Sequence, residues 1–360
     1  MAGVAHADLL DLVNLTLPVL PRGHVEQALL YQRTTGLAEV FSPARRRSRT
    51  GESISLRVSL SENGTAKMVS EYEEIAPSVT NTTKKINANW VNANAHWTVN
   101  EREIDMNRGS REQLASLYVQ REIDCVGDLV NLLEPQVWGV PVSASDDLNA
   151  WGLSYWLSTL GSGVSDPVGG FNGYLVQYLD GTTSATKGGI DGSAAANSRW
   201  KNWAATYTQF DANLLKTMAR CVQETRFIPS PELARLYRGM SQQMACYMNQ
   251  QNYVDYVELV NLGNDDRKGD AYPYGLGEVR FMRLPVLPVP AIDNLAYDPI
   301  MFVNHARFWP YVLTGWWMRR GTAVRLSNRP TTMLVPMDCT FQCFCDNVRE
   351  LGGVIHKVRA

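Results

Sequence analysis

Residues 51–60 read Gly-Glu-Ser-Ile-Ser-Leu-Arg-Val-Ser-Leu. Ile54, Leu56, Val58 and Leu60 fall on one parity, and Ser53, Ser55, Arg57 and Ser59 on the other. That alternation is the period-two signature of a strand with one buried face. Ser61-Glu62-Asn63-Gly64 supplies an Asn-Gly turn, and residues 65–74 are expected to return as the second strand of a long hairpin. Two strands alone are marginally stable in water, so the hairpin must lie against something, for which a neighbouring subunit would serve.

Just upstream stand Arg45, Arg46, Arg47 and Arg49. Charge runs are commonly solvated, which makes this a loop entering the hairpin. The alternative is that the guanidiniums bind carboxylates of a neighbour, from Asp265, Asp266 and Asp270 or from Glu71, Glu73 and Glu74.

Downstream, residues 84–106 hold Trp90, Trp97, Val99 and Ile104 in an Asn-rich extended context that predicts further sheet. The period then changes to helical. Ser110 with Gln113 forms a capping box, and Leu114, Leu117, Tyr118, Cys125, Val126, Leu129, Leu132 and Leu133 recur at helical spacing until Glu134-Pro135 stops them. One long helix over 110–134 is expected.

Shorter elements follow. A short aromatic helix is expected over 148–157, an exposed loop over 188–193, a helix over 211–225, and another opened by Ser230-Pro231 and running to about Met248. Phe227-Ile228-Pro229 reads as a connector, and 278–284 as a strand. Pro285, Pro288 and Pro290 mark an edge or connector, and 332–344 and 354–358 are closing strands. The region before the hairpin, with helical patches at 8–15 and 25–30 around Pro18 and Pro21, reads as an arm.

The chain has 360 residues, a net charge of −2 and 19% charged residues, below the roughly 25% of ordinary soluble domains. Ten Trp and fifteen Tyr supply area without the desolvation cost of ions, which suits burial against other subunits. Asp8, Asp11, Asn14, Arg22 and His24 interrupt any secretion signal, and the apolar stretch 308–318 falls short of the ~20 residues that span a bilayer. A soluble intracellular product is expected, with Cys125, Cys221, Cys246, Cys339, Cys343 and Cys345 reduced and the sequons at Asn14, Asn63 and Asn81 unmodified.

Catalytic motifs are sparse. The five His form no H-E-x-x-H pair, no G-x-S-x-G elbow exists, and Gly275-x-Gly277 is followed by Arg280 where a dinucleotide loop needs glycine. Cys339, Cys343 and Cys345 with His356 are the best zinc ligands by type. Their shared strand parity with Phe341 assigns them instead to a core face, so no metal, cofactor or catalytic residue is expected.

The order of these elements resembles the major capsid proteins of tailed bacteriophages with the Hong Kong 97 fold. Gly51-Glu52-Ser53-Ile54-Ser55-Leu56, then Trp97-Thr98-Val99, then the helix over 110–134 look like the extended loop and spine helix of that family. Arg199-Trp200-Lys201-Asn202-Trp203, the helix over 211–225 and Phe227-Ile228-Pro229 are similar to its peripheral domain. Val279-Arg280-Phe281 with Leu284-Pro285-Val286 looks like the strand entering its axial domain, and Cys345-Asp346-Asn347-Val348-Arg349 with Gly353-Val354-Ile355 like its closing strands.

The resemblance implies an α+β chain with an N-terminal arm (1–43), extended β-hairpin loop (44–80), peripheral domain (81–262), axial domain (263–340) and closing strands (341–360). It implies a structural protein and not an enzyme. Many copies would tile an icosahedral shell of hexamers and pentamers, built with a separate scaffolding protein, a portal and a decoration protein. The shell would enclose packaged DNA without sequence specificity, without a membrane, as a virion assembled in the host cytoplasm. Arg45, Arg46, Arg47, Arg49, Ile54, Leu56, Val58, Met68 and Tyr72 would meet the neighbouring subunit. Leu114, Leu117, Tyr118, Val126, Leu129 and Leu133 would pack the spine helix. Some relatives join a hairpin Lys to a neighbour's Asn; Lys67 lies there, but no crosslink is expected. Two other classes stay open: a soluble enzyme built on scattered Asp and Glu, and another virion component such as a portal or tail protein.

Overall fold

The computed structural model describes residues 35–61, 63–71, 82–106, 111–226, 243–262, 279–293, 295 and 297–358. The arm's helical patches, the capping box at Ser110 and the Phe227-Ile228-Pro229 connector lie outside these residues. The chain divides into two compact units, one from 1–51, 90–137 and 310–342, the other from 52–89, 138–309 and 343–360. Each unit is assembled from three separate stretches, whereas the divisions expected from the sequence run linearly.

The first unit is built on Arg329–Cys345, the longest strand. It pairs antiparallel with Val91–Asn100, from Thr332 opposite Asn100 to Phe341 opposite Val91. The pairing follows period two. Met333, Val335, Met337, Cys339 and Phe341 are buried and face Val99, Trp97, Ala95, Ala93 and Val91. The other row is mostly polar, interrupted by Leu334 and Pro336, with Asn94 donating to Asp338 at 2.5 Å and Thr340 to Asn92 at 2.7 Å. Arg319–Arg320 and Val324–Leu326 also pair with the long strand, and Phe308–Leu313 joins it to the terminal strand Arg47–Arg49.

The long helix runs Arg111–Trp138 and does not stop at Pro135. A proline near a helix C-terminus removes a single intrahelical donor. Val137 and Trp138 beyond it are buried, which holds the extra turn in place. The Tyr118 ring lies 5.8 Å from that of Trp97, and Arg121 donates to the Thr98 carbonyl at 2.7 Å, so the helix packs on the strand Val91–Asn100. Ile104, expected in sheet, belongs instead to a short helix, Glu101–Met106, that follows this strand.

The second unit carries a seven-stranded mixed sheet in the order Arg280–Phe281, Leu284–Pro288, Met244–Met248, Ile300–Asn304, Gly352–Lys357, Asn202–Tyr207, Gly170–Gly173. Met244–Met248, expected as the end of a helix, is a central strand buried on both faces. An apolar run of both parities carries no periodic signal that separates the two states. The helix in this region is Gln250–Leu262, whose Tyr256 and Val257 join the core with Leu214, Met218, Cys221 and Val222 of the helix Ala212–Thr225. Asp211 caps the latter, its carboxylate accepting from the Asn213 and Leu214 amides. At the start of the strand Gly352–Lys357, Gly352 has φ +142°, and a Cβ there would sit 1.9 Å from the Phe302 carbonyl oxygen. Only glycine permits that approach.

Aromatic side chains fill this interior. Trp156 packs at 6.0 Å from Trp200 and 5.4 Å from Phe344, and Trp151 stacks on Tyr155 at 5.1 Å. Trp97, Trp138, Trp156, Trp200 and Trp203 are all buried. Five of the ten Trp thus serve the chain's own core, which corrects the expectation that they wait for neighbours. Among the described residues no helix is long and apolar enough to cross a membrane.

Candidate assembly surface

The strand Ser53–Ser59 is present, but its partner is Thr83–Asn89 and not 65–74. The pairing is antiparallel, from Ser53 opposite Asn89 to Ser59 opposite Thr83. The choice follows from burial. Thr83–Asn89 offers Ile86 and Ala88 opposite Leu56 and Ile54, while residues 63–71 form no strand and are exposed throughout. The Leu60 amide closes the ladder onto the Thr82 carbonyl at 2.8 Å, and the Arg199 amide donates to the Leu60 carbonyl at 3.0 Å.

Ile54, Val58, Ile86 and Ala88 are buried within the chain. Ile54 and Val58 are therefore core residues here and not a surface laid on a neighbour. Leu56 is half-buried, Met68 is 99% exposed, and Tyr72 lies outside the described residues. Beneath the ladder, Thr186–Lys187 and Ile190–Asp191 form a hairpin whose turn is Gly188-Gly189. Gly188 has φ +54°, and a Cβ on it would meet Ile86 Cγ2 at 2.8 Å, so this turn is packed on the ladder. The expected exposed loop at 188–193 is instead a tight turn with Ile190 and Gly192 buried.

The arginines do not form a simple loop. Arg47 and Arg49 lie in a three-residue strand paired in parallel with Tyr311–Leu313. Arg45 pairs with Glu39 at 3.7 Å, the Arg46 guanidinium lies 4.7 Å from the Trp317 ring centre, and Arg49 lies 5.6 Å from that of Tyr311. Each is engaged inside its own unit, and the charges on this terminal strand disfavour indiscriminate edge pairing.

Along the long helix Tyr118, Cys125, Val126, Leu129, Val130 and Leu133 are buried; the side chains of Leu114 and Leu117 lie outside those described. Leu132, expected on the apolar stripe, is 49% exposed and shares the open face with Asp124 and Asp128. Glu134 turns inward, accepting from the Gly36 and Leu37 amides at 2.8 and 2.9 Å. Glu122 pairs with Arg320 at 2.7 Å and Glu103 with Arg121 at 2.8 Å.

One group escaped the sequence analysis. Lys187 is fully buried, and its Nζ donates to the Trp156 carbonyl at 2.8 Å and to Asn202 Oδ1 at 3.2 Å. Burial lowers its pKa to about 7, opposed by the nearby Cys345. The signal available was its place before Gly188-Gly189, where hairpin alternation turns it inward. Burial pushes the thiol of Cys125 up to about 11 and that of Cys339 up to about 12, and it also raises Cys343 and Cys345. Such thiols are poor nucleophiles and packing groups. Among the described residues no group of three or more His, Cys, Asp or Glu could hold a metal ion.

No protein-family model matches the chain, and no curated protein does. Among solved structures the chain is similar to the cyanophage A-1(L) capsid asymmetric unit, with a TM-score of 0.56 and 12% identity over 88% of this chain and 90% of that one. It is similar also to the capsid of the native GTA particle, with a TM-score of 0.50 and 12% identity over 90% of each chain. The chain has the α+β fold of these capsid proteins, as the order of its elements predicts.

Proposed function

We propose that this chain is the major capsid protein of a tailed bacteriophage, assembling into an icosahedral shell around packaged double-stranded DNA. The observation that carries the proposal is the correspondence of fold with the cyanophage A-1(L) capsid chain over 88% of this chain and 90% of that one. Both chains are matched nearly end to end, so the likeness extends beyond a shared domain. On this reading copies associate as hexamers and pentamers, with separate scaffolding, portal and decoration proteins, inside the host cytoplasm. Their product is the virion shell.

The physical features are those a shell subunit needs. Residues 63–71 project exposed side chains, Met68 foremost, from a ladder fastened to the chain by its own apolar face. A fastened base with an open tip can reach a neighbour without loosening the subunit. Near-neutral net charge lets many copies pack without accumulated repulsion.

The test is expression with the neighbouring genes, followed by negative-stain microscopy. Closed shells hundreds of ångströms across are expected, and discrete small oligomers under all conditions would refute the proposal. Met68→Asp places a charge on a fully exposed side chain. It is expected to leave thermal unfolding of the subunit unchanged while lowering shell yield; equal yield would remove Met68 from the contact.

A further inference from the structure

Residues 156–160 run through the interior of the second unit, and Trp156, Leu157, Ser158, Thr159 and Leu160 are all buried. On one edge of this segment Thr159 bridges Leu175. On the other, side chains meet the backbone at alternate residues. Lys187 Nζ donates to the Trp156 carbonyl at 2.8 Å, and the Leu160 amide donates to His356 Nε2 at 3.2 Å. Between them Asn202 accepts from the Ser158 amide at 2.9 Å and donates to its carbonyl at 2.8 Å. These side chains stand where a neighbouring strand would, a clamp on backbone that has no water to replace a lost partner. Two of its members, Lys187 and His356, titrate.

Both are held in the form that acid removes. An amide can only donate, so His356 Nε2 carries no proton, and the neutral ring donates from Nδ1 to the Lys357 carbonyl at 2.7 Å. A second proton on the ring would set N–H against N–H at Leu160. Around His356 stand the Tyr297 ring at 6.1 Å, the non-titrating Thr206 opposite it on the adjoining strand, and Lys357, whose Nζ holds Asp298 at 2.5 Å. The acceptors of Lys187, the Trp156 carbonyl and Asn202 Oδ1, are neutral, and burial favours its uncharged amine. The ionisable groups around it are the Cys345 thiol and the Tyr155 hydroxyl, which accepts from the Gly188 amide at 2.7 Å. Burial raises both, with Tyr178 adding to the rise at Tyr155, and Asp346 beside Cys345 is taken by Arg307 at 3.2 Å. An ammonium at Lys187 therefore gains no countercharge from them.

We propose that Lys187 and His356 make this clamp pH-operated: acid charges both side chains, opens the clamp on 156–160 and loosens the 186–191 hairpin that supports Ile86 of the ladder. The clamp lies within one chain, so the inference stands apart from the shell reading. Its link to the ladder is the turn itself, because Lys187 precedes Gly188, where a Cβ would meet Ile86 Cγ2 at 2.8 Å. The direction follows from linkage. The open form binds protons more readily than the closed one, so opening rises as pH falls, by up to about tenfold per unit. For Lys187 that window runs from 10.5 down to about 7. For His356 it begins near ~6.5, where an imidazole in water becomes charged, and continues downward. The two windows nearly adjoin, which gives a graded response in place of a single step.

Hydrogen exchange of the full-length chain tests this, each rate being divided by the intrinsic rate of the amide at that pH. Protection in peptides covering 156–160 and 186–191 should fall about a hundredfold between pH 9.5 and 7 and at least about tenfold more between pH 6.5 and 5. The central strand Met244–Met248 should stay protected, and peptides from 83–89 should follow the hairpin. K187M should remove the upper step. H356Q should remove the lower one, since Gln accepts from the Leu160 amide without titrating. The wild-type profile decides even where a variant fails to fold. Protection of 156–160 that is constant from pH 9.5 to 5, or that is lost only together with Met244–Met248, would overturn the proposal. Steps that persist in both variants would overturn it as well, and protection of 83–89 that holds while 186–191 opens would refute the link to the ladder.

Discussion

Between Val91–Asn100 and Arg329–Cys345 the polar row answers itself, with Asn94 bonded to Asp338 and Thr340 to Asn92. Between Ser53–Ser59 and Thr83–Asn89 the corresponding row sets Arg57 against Lys85, although Ser55 still reaches Asn87 at 2.8 Å. Both pairings bury an apolar row of the same period, so burial alone does not distinguish them. The polar rows do. A row whose members complement one another adds to the stability of its own pairing, whereas like charges standing directly opposite subtract from it.

The largest expected effect breaks the first pairing at its apolar row. Val335 is buried opposite Trp97, and Val335→Asp would bury an unpaired carboxylate. A loss of roughly 4 kcal/mol or more is expected, seen as insoluble or unfolded protein in denaturant titration. Wild-type-like unfolding would mean the row is not a core.

Lys187 sharpens the comparison, because it is a cation answered by neutral acceptors. Its pKa is lowered from 10.5 to about 7, so between those values the unfolded chain holds a proton that the folded chain does not. Stability should therefore rise with pH across that window, by up to about 1.4 kcal/mol per unit, and the gain should be absent below pH 7. In Lys187→Met that slope should vanish; a slope that persists in urea titrations at pH 7.5 and 9.5 assigns it to other groups.

Smaller effects test the polar rows themselves. Asn94→Ala removes one exposed, charge-assisted hydrogen bond and should cost on the order of 1 kcal/mol by chemical denaturation. Arg57→Ser relieves the repulsion and should stabilise the unassembled chain by a few tenths of a kcal/mol. The opposite signs of these two changes are the substance of the comparison, and equal signs would erase it.

Periodic features were legible in the residues. The parity of Ile54, Leu56, Val58 and Leu60, the stripe from Tyr118 to Leu133, and the shared parity of Cys339, Phe341, Cys343 and Cys345 each gave a strand or helix where one exists. What was not legible depended on distant residues. Asn63-Gly64 signals a local turn, but Ile86 and Ala88, far along the chain, decide which segment covers Ile54 and Leu56. Met244–Met248 shows no alternation, because sheet and helices bury both of its faces. Of the candidate contact residues, the alternation that identified Ile54 and Val58 as apolar could not say whether their cover came from the same chain. Gly188 of the same chain is pressed on Ile86, a member of the same apolar row.

The six cysteines have a practical consequence. All are free and buried: Cys125 and Cys339 in the unit containing the long helix, Cys221, Cys246, Cys343 and Cys345 in the unit containing the seven-stranded sheet. A thiol-alkylating reagent meets none of them while the packing is closed. The order in which these six positions become modified is thus a native clock of opening, one set of hands for each unit, with no engineered label required.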